Sequence, residues 1–195
     1  MRYNPSEKVD VDFHTKSLME IAAQADEIEP EVAEFFAWEC GVWALQQERE
    51  SGRKLPPPLW KALDAARSVL EGRLAPKELE LHRSSALGLA GALSPEQPFS
   101  SLRKSLCWIV AYICSIPEDG FWRQQNLRQV LHHLAPLLEM WPHANPYWGG
   151  ERLQALRSMH RALQRRLCLL LLARAKKIDA FVPLARLELE EGLFG

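Results

Sequence analysis

Residues 151–177 read ERLQALRSMHRALQRRLCLLLLARAKK, with neither Pro nor Gly to interrupt them. Leu153, Leu156, His160, Leu163, Leu167 and Leu170 recur in steps of three and four, which places them on one face of an α-helix. Arg157, Arg161 and Arg165 follow one another at four-residue steps and form a basic ridge on another face. From Leu167 to Ala173 the apolar residues run all the way round. A helix of that kind has to be enclosed by other helices or by lipid. The apolar run is far shorter than the roughly 20 residues that a bilayer requires, so enclosure by protein is expected. The fold is therefore read as all-α, arranged around this central C-terminal helix.

Upstream, the same three- and four-residue steps recur. Phe13, Leu18, Ile21, Ala22 and Ala25 suggest a short amphipathic helix, and the residues before about Asp12 are polar and expected to be loosely ordered. Pro30 and Glu31 suit the start of a second helix, since Pro fits the first helical position and acids suit the positive end of the dipole. Val32, Phe35, Phe36, Trp38, Val42, Trp43 and Leu45 give it a wide apolar face, and Ser51–Gly52 closes it. A stiff Leu55–Pro56–Pro57–Pro58 connector leads to a helix over 59–70, stopped near Gly72. Further helices are expected from Ala75 to about Ala90, from Ser101 to Ile116 and from Phe121 to Trp141. Pro136 should kink or split the last of these. Gly88 and Gly91, three residues apart, would permit a close helix approach. Trp141–Gly150 reads as a loop, and a last amphipathic segment runs from Ile178 through Leu189. The count is seven to eight helices in a single orthogonal bundle or solenoid-like stack, one domain over 1–195.

Composition supports this class. With 47% hydrophobic and 25% charged residues, the chain is an ordinary globular one, long enough to bury a core without disulfides or metals. The opening MRYNPSEKVDVDF has no apolar stretch of signal-peptide type, and no segment reaches transmembrane length. Cys40, Cys107, Cys114 and Cys168 sit singly in apolar helical patterns, which fits reduced, buried thiols and a cytoplasmic location. The net charge of −1 hides an asymmetry: residues 1–50 hold 12 acids against 4 bases (net −8), and residues 151–195 hold 9 bases against 5 acids (net +4). The two ends either meet in the fold or face charged partners.

No residue set announces catalysis. His132 and His133 are adjacent and point to different sides of a helix, so a shared metal is not expected. His160 falls on an apolar helix face, where a satisfied core histidine is the ordinary reading. There is no GxSxG elbow and no Gly-rich phosphate loop. Catalytic residues, metal and cofactor are therefore all read as none. A helical enzyme whose site is assembled only in three dimensions stays open as a third reading. Two surfaces suggest protein binding instead. Glu27, Glu29, Glu31 and Glu34 make an acidic helix entrance, although a solvated first turn has the same appearance. Trp141, Tyr147 and Trp148 lie in a Pro/Gly segment and are of the types that anchor interfaces, although they would equally cover a bundle end. Trp38, Trp43, Trp60 and Trp108 are read as core. The alternative partner is nucleic acid on the Arg157/Arg161/Arg165 ridge, which the chain's pI of about 6.6 disfavours.

Trp38–Glu39–Cys40, followed by LWKALDAARSVLEG over 59–72 and a further Ala-containing helix, resembles an α-helical family of bacterial immunity proteins, the small cytosolic antidotes encoded with polymorphic toxins. The similarity covers about residues 35–92. It implies a helical fold and a protein that neutralises a cognate toxin by occlusion, with no functional residue carried across. The expectation is a protein-binding module of that kind, without membrane contact.

Overall fold

The computed structural model describes residues 30–50, 52–96, 99–115 and 120–144. They form five α-helices: α1 (Pro30–Glu50), α2 (Pro57–Leu70), α3 (Leu79–Ala92), α4 (Ser100–Ile113) and α5 (Gly120–Ala144), with a 3-10 turn at Pro76–Glu78 before α3. There is no strand among the described residues. The long helix expected over 151–177 lies outside them, as do the segments expected over 13–26 and 178–189. Among the described helices the hub is α4, which packs against each of the other four, whereas α1 packs most extensively on α5.

The helix ends follow from local chemistry. Pro30 and Glu31 open α1, and Gly52, at φ 76°, closes it with its N–H on the Arg49 carbonyl at 3.0 Å. Two hydrogen bonds close α2: Gly72 N–H to Val69 O at 2.9 Å and Arg73 N–H to Ser68 O at 2.7 Å. These are the paired bonds of a Schellman motif, whose left-handed position is Gly72 at φ 72°. Of the two outcomes expected at Pro136, a kink or a split, the split does not occur: α5 runs through it. Pro136 lies on the exposed side of the helix, and so does His132, whose carbonyl loses its partner. Water can solvate that carbonyl, so the break is tolerated. The same helix continues through Trp141 to Ala144, where a loop was expected.

The core is built from small residues as much as from large ones. The inner face of α1 carries Ala33, Phe36, Ala37, Cys40, Ala44 and Leu45, all buried. At Gly41 the approach is closest: a Cβ placed there would come within 2.3 Å of Ile113 Cδ1 on α4. Leu59, Leu63, Leu102, Leu106, Ile109, Leu127 and Leu131 fill the space between the helices. The tight glycine contact is thus at Gly41 and not at Gly88 or Gly91, which have no heavy atom within 4 Å of a built Cβ.

Trp38, Trp43, Trp60 and Trp108, expected in the core, are only partly buried. Trp38, Trp43 and Trp60 pack against it. An indole buried on all sides would need an acceptor for its N–H. Trp38 meets that need by donating from Nε1 to the Leu63 carbonyl at 2.9 Å, while Arg67 covers its ring and Arg49 covers Trp60. Trp108 is also half-buried, in a stack with His133 (centroids 6.0 Å apart, 5° between planes) and Tyr112. Burial, and then the neighbouring His132, hold the His133 imidazole below its ordinary pKa, so it serves as a neutral aromatic plate.

One charged pair is enclosed at the end of α1. Glu48 is fully buried and receives a bidentate bond from Arg53, with Nη2 at 2.7 Å from Oε2. The same guanidinium lies 5.0 Å from the centroid of the Phe99 ring. Phe99 takes a left-handed conformation at φ 59°, unusual for a residue of its size, at the entry to α4. Arg53 therefore ties the exit of α1 to the start of α4.

Candidate functional site

The acidic entrance of α1 divides on folding. Glu34 follows Glu31 by three positions, so both carboxylates rise from the same side of the helix. Both face Arg123 of α5. Arg123 Nε is 3.3 Å from Glu34 Oε1, and Nη1 is 3.9 Å from Glu31 Oε1. The Glu34 side chain retains 12% exposure, against 47% for Glu31. Glu34 Oε1 is buried and accepts no hydrogen bond of good geometry, so its contact with Arg123 is an ion pair without an aligned bond. Desolvation dominates the result: burial pushes the Glu34 carboxyl up from 4.5 to about 7, partly opposed by Arg123 and aided by Glu31.

A cavity of about 10 Å³ adjoins this carboxyl, bordered by Ala37, Tyr112, Arg123 and Asn126. Asn126 is itself fixed by donating to the Ser115 carbonyl. A group that titrates near neutrality is suited to proton exchange. The space beside it holds roughly one water and no larger substrate. Its chemistry is that of a half-charged internal carboxyl, and the charge presented outward here is Glu31.

A second surface was missed in the sequence. Leu81 on α3 is 78% exposed, the most open large hydrophobic residue among those described. It stands off the buried stripe of Leu79, Ala86 and Ala90. On its own side, at helical steps, lie Ser84, Ser85 and Gly88, all exposed. From Leu81 to Gly88 no side chain larger than serine rises along that strip. The signal was legible: Leu81 breaks the apolar period of its helix between Glu80 and His82.

The other expected sites are placed only in part. Trp141 belongs to α5. Glu27, Glu29, Tyr147, Trp148, Arg157, Arg161 and Arg165 lie outside the described residues. Cys40, Cys107 and Cys114 are buried free thiols. Burial pushes Cys107 up to about 11 and Cys114 up to about 12, so neither provides a thiolate at neutral pH. Among the described residues no three His, Cys, Asp or Glu side chains come together as a metal site, and no helix is long and apolar enough to cross a membrane. Comparison with protein-family models, with curated proteins and with solved structures finds no match.

Proposed function

We propose that the protein is a cytoplasmic helical protein-binding module of the immunity type, which neutralises a cognate toxin by covering its working surface. The observation that carries this reading is Leu81, an apolar side chain left 78% exposed on a helix strip of serine and glycine. Such a strip lets a partner's backbone come close, and burial of the leucine would remove its apolar area from water. Glu31 supports it from a different side: it keeps a solvent-facing carboxylate in a region with a net charge of −8. Together with Glu27 and Glu29 it would steer a basic partner, such as a nuclease, during encounter. Glu34 takes part as the buried brace that holds Arg123 beside Glu31. The aromatic set Trp141, Tyr147 and Trp148 is proposed as a further contact. In the same reading the whole chain is one domain of seven to eight helices, a bundle or stack in which the 151–177 helix joins the five described.

The test is affinity capture from the native host, with and without nuclease treatment, using the wild-type chain and Leu81→Arg. A single stoichiometric protein that survives nuclease and is lost with Leu81→Arg is the expected result. With that partner purified, Glu31→Lys should lower the association rate and its salt dependence. Capture of nucleic acid alone, abolished by nuclease, would overturn the reading in favour of the Arg157/Arg161/Arg165 ridge.

A further inference from the structure

A groove between the described helices is not used by the surfaces above. Its volume is about 320 Å³, which falls at the lower end of the roughly 300–1,000 Å³ common for small-ligand pockets. Four elements build it. Leu59 comes from the first turn of α2, Leu89 and Leu93 from the C-terminal end of α3, and Cys107 from α4. The Leu55–Pro56 connector closes one wall. These residues make the lining overwhelmingly apolar.

Its polar groups are all of one sign. The remaining lining residues are Lys54 and Arg103, and no carboxylate lines the groove. The Arg103 Nε–H is buried and has no hydrogen-bond partner. Out of reach of water, that one donor is out of reach of a ligand oxygen as well; what Arg103 brings to the groove it lines is its charge, beside that of Lys54. Cys107 adds no negative charge, since burial keeps its thiol protonated.

We infer that this groove binds a small organic acid, with its apolar body against Leu59, Leu89 and Leu93 and its carboxylate received by Arg103 and Lys54. Each part of that ligand answers a feature of the site. An apolar compound without an acid would gain nothing from the two cations, and a cation would be repelled by both residues. A nucleotide or other polyanion would gain from the two cations but would desolvate its sugar and base edges against leucine. The inference does not depend on the protein-binding reading and does not share its residues.

Isothermal titration of the full chain with decanoate, below its micelle-forming concentration, tests it. Saturable binding of one decanoate per chain is expected, with decanol weaker by about tenfold or more because it cannot form the charge-assisted bond. Arg103→Met keeps the apolar stem and should weaken decanoate by about tenfold while leaving decanol unchanged. Lys54→Ala, at an exposed position where folding is not at stake, should weaken decanoate by about two- to fivefold. Leu89→Trp fills the groove and should abolish both. No saturable heat with the wild type would overturn the proposal, and so would equal binding of decanoate and decanol that ignores Arg103→Met and Lys54→Ala.

Discussion

Gly41 and Gly88 are both interior glycines of described helices, and they serve opposite ends. At Gly41 the absent side chain lets α1 press onto α4, where Ile113 Cδ1 occupies the position a Cβ would need. At Gly88 the space is open, and the absent side chain keeps smooth the strip beside exposed Leu81. One glycine contributes through what fills its space and the other through what leaves it free. Spacing does not separate the two. The pair at 88 and 91 has the more suggestive interval, yet the close approach occurs at the lone Gly41. What distinguishes Gly41 is its company: Ala33, Ala37, Cys40 and Ala44 share its face.

Substitution should separate these roles by sign. Gly41→Leu forces a side chain into the Ile113 contact and is expected to destabilise by about 3 kcal/mol or more, read as a lower midpoint in urea with unchanged slope. An unshifted midpoint would show that α1 and α4 are not in close contact. Gly88→Ala, by contrast, adds a methyl to open space and removes glycine's backbone freedom in the unfolded chain. It should stabilise by about 0.5–1 kcal/mol in the same assay. A loss of stability there would mean that another part of the molecule covers the strip.

Between those extremes in size lies Glu34, where the same question of space is asked of a charge. Its folded pKa, about 7, is raised above the ordinary 4.5. The protonated form therefore favours the fold: its contribution is complete below the unfolded value and is lost as pH rises through the folded one. The difference amounts to about 3 kcal/mol across that window. Glu34→Gln should match the wild type at low pH and gain on it between about pH 5 and pH 8. A constant offset at all pH values would show that Glu34 ionises freely in the folded protein.

The helices were legible because apolar residues in steps of three and four leave a clear period. That period places Leu59, Leu63, Leu106 and Leu127 correctly in the core. It overrates tryptophan, since hydrophobicity says nothing of the indole N–H that sends Trp38 to the margin and the Leu63 carbonyl. It also underrates alanine, because Ala33, Ala37 and Ala44 gain their importance from what lies opposite. The division of the acidic entrance was not legible at all. Glu31 and Glu34 look alike in sequence and both face Arg123 of α5; what separates them is burial, which only the packed helices supply. Leu81 and Arg103 were within reach of the sequence, but only as departures: a leucine off the apolar stripe and a cation close to a groove that no single segment forms.

The pairing of α1 with α5 carries a consequence for how the chain comes off the ribosome. α1 ends at Glu50 and its most extensive partner begins at Gly120, 70 residues later. At about 5–20 residues per second, that is a delay of roughly 4–14 s during which the inner face of α1 has emerged without its main cover. A face of leucine and phenylalanine would be an invitation to misassembly over such an interval. The inner face of α1 sets Phe36 and Leu45 among Ala33, Ala37, Cys40, Gly41 and Ala44, which expose little apolar area per residue, so the small residues that permit the close contact with Ile113 also limit what the nascent helix offers to a wrong partner.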